Sequence, residues 1–216
     1  MNDVHGPRPF RLKSTMGNTS HDISSSAQDT IAATTSSLST TTASRPVKDS
    51  YYFGYGSNLW LDQMRRRCPS SKYIGTAILH DWKWIISDRG YANVIPSPGD
   101  IVWGMVYILS AIDEAYLDRN EGAPTIYEKK VMNVDFMPAK GLAVEGGLIQ
   151  GLVYVDVKRT HVGDIAEEYI YRMNQAIKDA VQMGVPEEYI ERCLRPFIPA
   201  EDPPGAGEVK DPFAVR

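Results

Sequence analysis

The run Tyr51-Tyr52-Phe53-Gly54-Tyr55-Gly56-Ser57-Asn58-Leu59 constrains the fold more than any other stretch of the chain. Tyr51 to Tyr55 is a short aromatic segment that suits a half-buried strand, and Gly56-Ser57-Asn58 breaks it where the backbone must turn sharply. Leu59 to Arg67 then predicts a short helix. Strand, turn and helix in this order gather backbone N–H groups just past the strand end, where they favour a carboxylate or a polarised carbonyl. Gly56 permits dihedrals that other residues avoid and lets a ligand approach the main chain, while Ser57 and Asn58 add short-range hydrogen-bonding groups. Read alone, the same residues also make an ordinary turn.

The remaining segments predict a sheet wrapped by helices. Tyr73 to Ile86, with Ile74, Ile78, Trp82, Trp84 and Ile85, reads as two adjoining strands with a bend. Ala92 to Ile95 and Val102 to Leu109 read as further strands separated by the turn Ser97-Pro98-Gly99-Asp100. Ser110, with Asp113 three residues later, makes a capping-box-like helix start; the helix ends near Glu121-Gly122, and Pro124 prevents its continuation. Tyr127 to Phe136 and Gly147 to Val157 supply two more strands. Gly163 to Met183 predicts a longer helix whose Ile165, Tyr169, Met173, Ile177 and Val181 form one core-facing stripe, and Pro186 to Leu194 a last short helix. The sum is an α+β chain, a small mixed, mostly antiparallel β-barrel with helices packed outside.

With 216 residues, 43% of them hydrophobic, and a net charge of −4, the chain is long enough for one packed domain and a tail. Residues 1–49 are Ser/Thr-rich and predict a disordered tail, 50–200 the domain, and 201–216 an irregular C-terminal extension. An acidic pI near 5.6 gives no electrostatic footprint for nucleic acid, and Arg65-Arg66-Arg67 reads as a solvated helix end. Cys68 and Cys193 fit neither a Cys-x-x-Cys nor a Cys/His pattern, and the histidines are scattered, so no metal site is indicated. His80, beside Asp81, reads as a structural histidine. No apolar run approaches the length of a membrane span and no secretory signal is evident, so the expected location is cytoplasmic. Oligomeric state is left open.

Phe53-Gly54-Tyr55-Gly56-Ser57-Asn58-Leu59, Trp103-Gly104-Met105-Val106-Tyr107, and the helix running into Asn120-Glu121-Gly122 together resemble the gamma-glutamylcyclotransferase family, over roughly residues 51–199. The resemblance implies a small barrel with its pocket at the mouth. It also implies internal aminolysis of a gamma-glutamyl compound to 5-oxoproline and a free amine or amino acid, with a small-molecule substrate and no cofactor. By the same resemblance Glu121 is the acid/base, and Tyr55, Gly56, Ser57, Asn58, Leu59, Tyr127 and Tyr169 are substrate-binding. A carboxyl that ordinarily titrates at about 4.3 must be raised by burial to do this work near neutrality. Some fungal relatives serve secondary-metabolite pathways, trimming glutathione adducts of sulfur-containing diketopiperazines of gliotoxin type. Trp60, Trp82, Trp84 and Tyr91 are the aromatic residues that would wall such an adduct.

Two other readings compete. The same fold can be a non-catalytic binding module for a gamma-glutamyl-like ligand, and Glu121 is the residue that separates it from an enzyme. Asp118, three positions before Glu121, allows a paired-carboxylate hydrolase, which nothing else in the sequence supports. Ser57 lacks a Gly-x-Ser-x-Gly elbow and a positioned histidine, so a hydrolytic triad is not indicated.

Overall fold

The computed structural model describes residues 49–206; the predicted tail, apart from Asp49, and the last ten positions of the C-terminal extension lie outside the described residues. Five strands close into a barrel in the order β1-β3-β2-β4-β5. They are β1 Ser50–Gly54, β2 Lys72–Ile86, β3 Ala92–Leu109, β4 Glu128–Pro138 and β5 Gly147–Val155. Every seam is antiparallel except β1 against β5, which is parallel and joins Tyr52 to Leu152. Closure pairs the barrel's edges, which an open sheet would leave exposed. A 3-10 turn, Ser57–Leu59, and helix α1, Leu61–Arg67, follow β1. Helix α2, Ala111–Glu121, follows β3, and α3, Glu167–Gln182, follows β5. The chain is thus the α+β, mostly antiparallel barrel that its patterning predicts.

The two predicted breaks in the long β2–β3 hairpin do not interrupt the strands. β2 stays continuous because register shifts at Tyr73/Gly75 and His80/Trp82 absorb the bend as bulges. At the second bulge Asp81 takes a positive φ of 62° and its carboxylate accepts the Gly99 N–H at 2.9 Å, which ties the 97–100 turn back onto the hairpin. His80 is exposed and pairs with Asp135 rather than sitting in a structural pocket.

Helix α3 begins four residues later than its periodicity suggests. The Gly163 and Ala166 N–H groups donate to Ile86 and Gly90 carbonyls, pinning the lead-in against the β2–β3 turn before the helix can start. From there Tyr169, Met173 and Ile177 point inward and are buried, as the stripe predicts. The final predicted helix is a single turn, Glu187–Tyr189, running into a π-type turn, Ile190–Leu194. Phe53, Leu59, Met64, Trp84, Met105, Leu117 and Met173 form the centre of the core. Among the described residues no helix is long and apolar enough to cross a membrane.

Candidate active site

Helix α2 ends so as to deliver one carboxylate. Ser110 Oγ accepts the Asp113 N–H at 3.2 Å and starts the helix. Gly122 stops it in the left-handed region at φ 64°, where its N–H and that of Ala123 return to the Arg119 and Asp118 carbonyls. Glu121 is therefore the last helical residue, and its side chain, 17% exposed, lines a cavity at the barrel wall. The cavity holds about 190 Å³, against the roughly 10–15 Å³ that admits one water.

The loop after β1 meets Glu121 through Asn58. Asn58 Nδ2 donates to Glu121 Oε1 at 2.9 Å and to Tyr52 Oη at 2.8 Å. Its Oδ1 accepts from Gln63 Nε2 at 2.9 Å and Arg67 Nη1 at 3.1 Å, and its backbone carbonyl accepts from Tyr107 Oη at 3.1 Å. Each polar atom of this side chain is spoken for, which fixes the carboxylate's position. Arg67 Nη1 stands 4.0 Å from the same Glu121 oxygen.

The loop uses its backbone donors differently from the sequence expectation. Ser57 N–H donates to Tyr169 Oη at 3.0 Å, while Leu59 and Trp60 N–H groups close turns on Gly56 and Ser57 carbonyls. These three donors are spent inside the protein. Gly56 is glycine for a steric reason: a Cβ there would lie 2.8 Å from Tyr169 Oη and 3.0 Å from Ala92 Cβ. Outside this loop, Asn120 Nδ2 and Arg172 Nε are buried donors without a protein acceptor on residues that line the cavity.

Tyr55, Gly56, Ser57, Asn58, Tyr127 and Tyr169 all line the cavity with Glu121. Leu59 does not: it is 1% exposed and packs in the core. Tyr55 Oη donates to the Tyr154 carbonyl at 2.6 Å and Tyr127 Oη to the Ala92 carbonyl at 3.1 Å. Burial pushes both phenols well above their ordinary range, and the Glu121 charge adds to the effect, so both remain protonated donors. Tyr52 is raised in the same way.

Several cavity residues escape sequence reasoning. Arg65 and Arg66 are exposed and pair with Asp62, as a solvated helix end should, but Arg67 is 3% exposed and faces inward. Tyr52, Arg89, Tyr91, Arg119, Tyr154 and Arg172 also line the cavity, and among the described residues Glu121 is its single acidic one. The sequence signal available for Arg67 was the helix period itself, since Asp62 can reach the first two arginines at i+3 and i+4 but not the third. Of the four aromatics considered for an adduct wall, only Tyr91 lines the cavity. Trp84 is buried and donates to the Tyr55 carbonyl at 3.0 Å, and Trp60 and Trp82 pack at the core's edge.

Asp118 is engaged elsewhere. It accepts from Tyr154 Oη at 2.6 Å and Lys129 Nζ at 2.9 Å and does not line the cavity, so no carboxylate pair forms. Cys68 is buried, and burial, reinforced by Asp113, pushes its thiol up to about 12, which makes it a poor nucleophile.

Residues 52–175, more than half of the chain, match the family model described as Gamma-glutamyl cyclotransferase, AIG2-like. The chain is 35% identical over 81 residues to the Gamma-glutamylcyclotransferase of Bos taurus, covering 33% of this chain and 43% of that protein. It is 34% identical over 88 residues to the Homo sapiens protein of the same name, covering 36% of this chain and 47% of that one. The chain therefore spans less than half the length of these curated relatives. A solved structure described as Gamma-glutamyl cyclotransferase is 25% identical at a TM-score of 0.60 and covers 73% of this chain and 92% of its own. A human protein described as uncharacterized is 26% identical at a TM-score of 0.57, covering 67% of this chain and 85% of its own.

Proposed function

The chain belongs to the gamma-glutamyl cyclotransferase, AIG2-like family, and from that premise we propose that it converts a gamma-glutamyl compound into 5-oxoproline and a free amino acid or amine. The observation that carries this reading is the position of Glu121: one carboxylate, held by Asn58 Nδ2 at 2.9 Å, in a cavity whose other charged lining residues, among those described, are arginines.

The substrate's alpha-amine arrives protonated near neutral pH and must lose a proton before it can attack. Glu121 takes that proton. The amine nitrogen then bonds to the gamma-carbonyl carbon and closes a five-membered ring. The ring nitrogen, which now carries two protons, gives up one as the bond from that carbon to the departing nitrogen breaks. The departing nitrogen receives the proton held by Glu121 and then, through the same carboxylate, this second one, so that the amine leaves as an ammonium and Glu121 ends ionised. Charge that builds on the carbonyl oxygen needs a donor fixed in advance. Asn120 Nδ2, a buried donor without a protein acceptor on a cavity residue next to Glu121, takes that role. Arg67 supplies positive charge beside the glutamyl head, whose carboxylate shares a carbon with the attacking amine.

Both nucleophile and electrophile belong to one molecule, so the protein's contribution is to hold the folded-back conformer and move protons. No residue has to form a covalent intermediate. Two free cysteines suit a reducing, cytoplasmic setting for the enzyme.

The test is direct. The protein is incubated with a gamma-glutamyl dipeptide, glutathione, a gamma-glutamylamine and a bulky glutathione conjugate, and 5-oxoproline is quantified. Release from at least one of these, abolished in Glu121→Gln while that variant still binds the compound, supports the mechanism. Near-normal turnover by Glu121→Gln sinks it, and binding without any turnover by the unaltered protein leaves a binding module.

A further inference from the structure

A second constellation of charged and aromatic side chains lines the same cavity. Arg89 and Tyr91 come from the β2–β3 turn, Tyr169 and Arg172 from α3. The Tyr91 and Tyr169 rings meet edge to face with centroids 5.1 Å apart. Arg172 lies 4.8 Å from the Tyr169 centroid and Arg89 5.4 Å from the Tyr91 centroid. Glu168 ties the group together: its Oε1 accepts from Tyr91 Oη at 2.7 Å and from Arg172 Nη2 at 3.0 Å.

The charges in this group do not balance. Glu168 neutralises Arg172, whose Nε is nevertheless buried without a protein acceptor on a residue only 6% exposed. Arg89 has no ion pair among the described residues, although its side chain reaches the cavity. Arg119 also lines the cavity, but it is exposed and stacks on Tyr116, which lies outside. Two guanidinium groups on a rigid aromatic pair, one of them uncompensated and the other with a spare buried donor, form a built place for an anion.

We propose that Arg89, seated beside Arg172 on the Tyr91–Tyr169 pair, binds the carboxylate of the amine that departs, so that this protein selects gamma-glutamyl amino acids or peptides over gamma-glutamylamines whose leaving group is neutral. The proposal deepens the cyclotransferase reading and rests on it. The cyclotransferase reading sets the glutamyl amine at Glu121 and its carboxylate, on the same carbon, by Arg67, which leaves Arg89 for the carboxylate of the departing group. Tyr127 connects the two parts of the cavity: its hydroxyl donates at 3.1 Å to the carbonyl of Ala92, the neighbour of Tyr91, and it lines the cavity with Glu121 and Arg89. In the proposal the departing group runs from Glu121 past Tyr127 toward Arg89. The turn that carries Arg89 is held in place, since Gly90 accepts the Ala166 N–H at 3.1 Å at the start of α3.

The experiment compares gamma-glutamylalanine with gamma-glutamylalaninamide, which differ in the departing carboxylate alone and keep the glutamyl head identical. In the unaltered protein kcat/KM for the acid should exceed that for the amide by about 10- to 100-fold, the worth of one charge-assisted contact. Arg89→Gln should reduce the ratio to within about threefold, and Arg89→Lys should keep part of it because the charge remains. Equal turnover of the two compounds by the unaltered protein, or a ratio that survives Arg89→Gln, overturns the proposal. A parallel loss on both compounds in Arg89→Gln also overturns it, because it would put the glutamyl head at Arg89. If neither compound yields 5-oxoproline, the cyclotransferase reading fails by itself, and calorimetric binding of the same pair to the unaltered protein and to Arg89→Gln decides the subsite by the same ratio.

Discussion

Asn58 Nδ2 donates to Glu121 Oε1 at 2.9 Å across 63 positions of sequence, which joins the loop after β1 to the end of α2. The same amide is fixed from its other side by Gln63 and Arg67, so it cannot rotate without abandoning two partners. Asn58→Ala removes the amide donor that holds the carboxylate. The expected result is a fall of about 100-fold in kcat for 5-oxoproline release, with KM changed much less, because a misplaced catalytic group costs rate before it costs binding. Steady-state kinetics of the variant check this, and an unchanged kcat would remove Asn58 from the mechanism.

Arg67 is a buried cation whose partners include Asn58 and Glu121. Arg67→Met keeps the length of the side chain and removes the charge and the donors, leaving buried acceptors without them. Breaking a buried charge contact from one side costs about 3–5 kcal/mol, which for a chain of this size lowers the melting temperature by on the order of 10 °C. Arg67→Lys should not restore it, since a point ammonium cannot span the same acceptors. Arg66→Met is the control: Arg66 is exposed and pairs with Asp62, so its loss should move the melting temperature by about 1–2 °C.

The contrast between those two arginines shows what local sequence can and cannot reveal. Ser110 with Asp113, and Glu121 with Gly122, mark helix ends through contacts within a few residues, and both ends fall where the sequence puts them. The closed barrel follows from strand patterning in the same way. Arg67 is different, because its burial depends on Asn58 and on the end of α2, neither of which sequence spacing brings near it. Arg89, Tyr91 and Arg172 meet only when the β2–β3 turn docks on α3. Leu59 sits inside a loop motif, yet it points into the core, since the 3-10 turn rotates it away from Ser57 and Asn58.

Gly56 should tolerate no side chain while Tyr169 keeps its hydroxyl. The missing Cβ would lie 2.8 Å from Tyr169 Oη, so Gly56→Ala must displace the phenol that accepts the Ser57 N–H. Activity should fall at least about tenfold, because a small displacement of positioning groups costs that much or more. Adding Tyr169→Phe to Gly56→Ala removes the contacted oxygen and should recover part of the loss, with Ala92 still close enough to limit it. The double-variant cycle tests the contact: strictly multiplicative losses would mean that the two positions do not interact.

Alkaline titration reads the cavity's phenols directly. Burial is the leading cause that raises Tyr52, Tyr55, Tyr127 and Tyr169 above the ordinary phenol range. In the unfolded chain each titrates at about 10, so below that pH both states hold the proton and stability does not depend on these groups. As pH rises beyond about 10 the unfolded chain loses protons that the folded protein keeps, and each such group removes about 1.4 kcal/mol of stability per pH unit until its folded value is reached. The folded protein should therefore unfold steeply in alkali, with phenolate absorbance from these tyrosines rising only as the far-ultraviolet dichroism is lost. A single phenolate transition near pH 10, with the dichroism unchanged across it, would mean that the cavity tyrosines are open to solvent and would sink the assignment of Tyr55 and Tyr127 as permanently protonated donors.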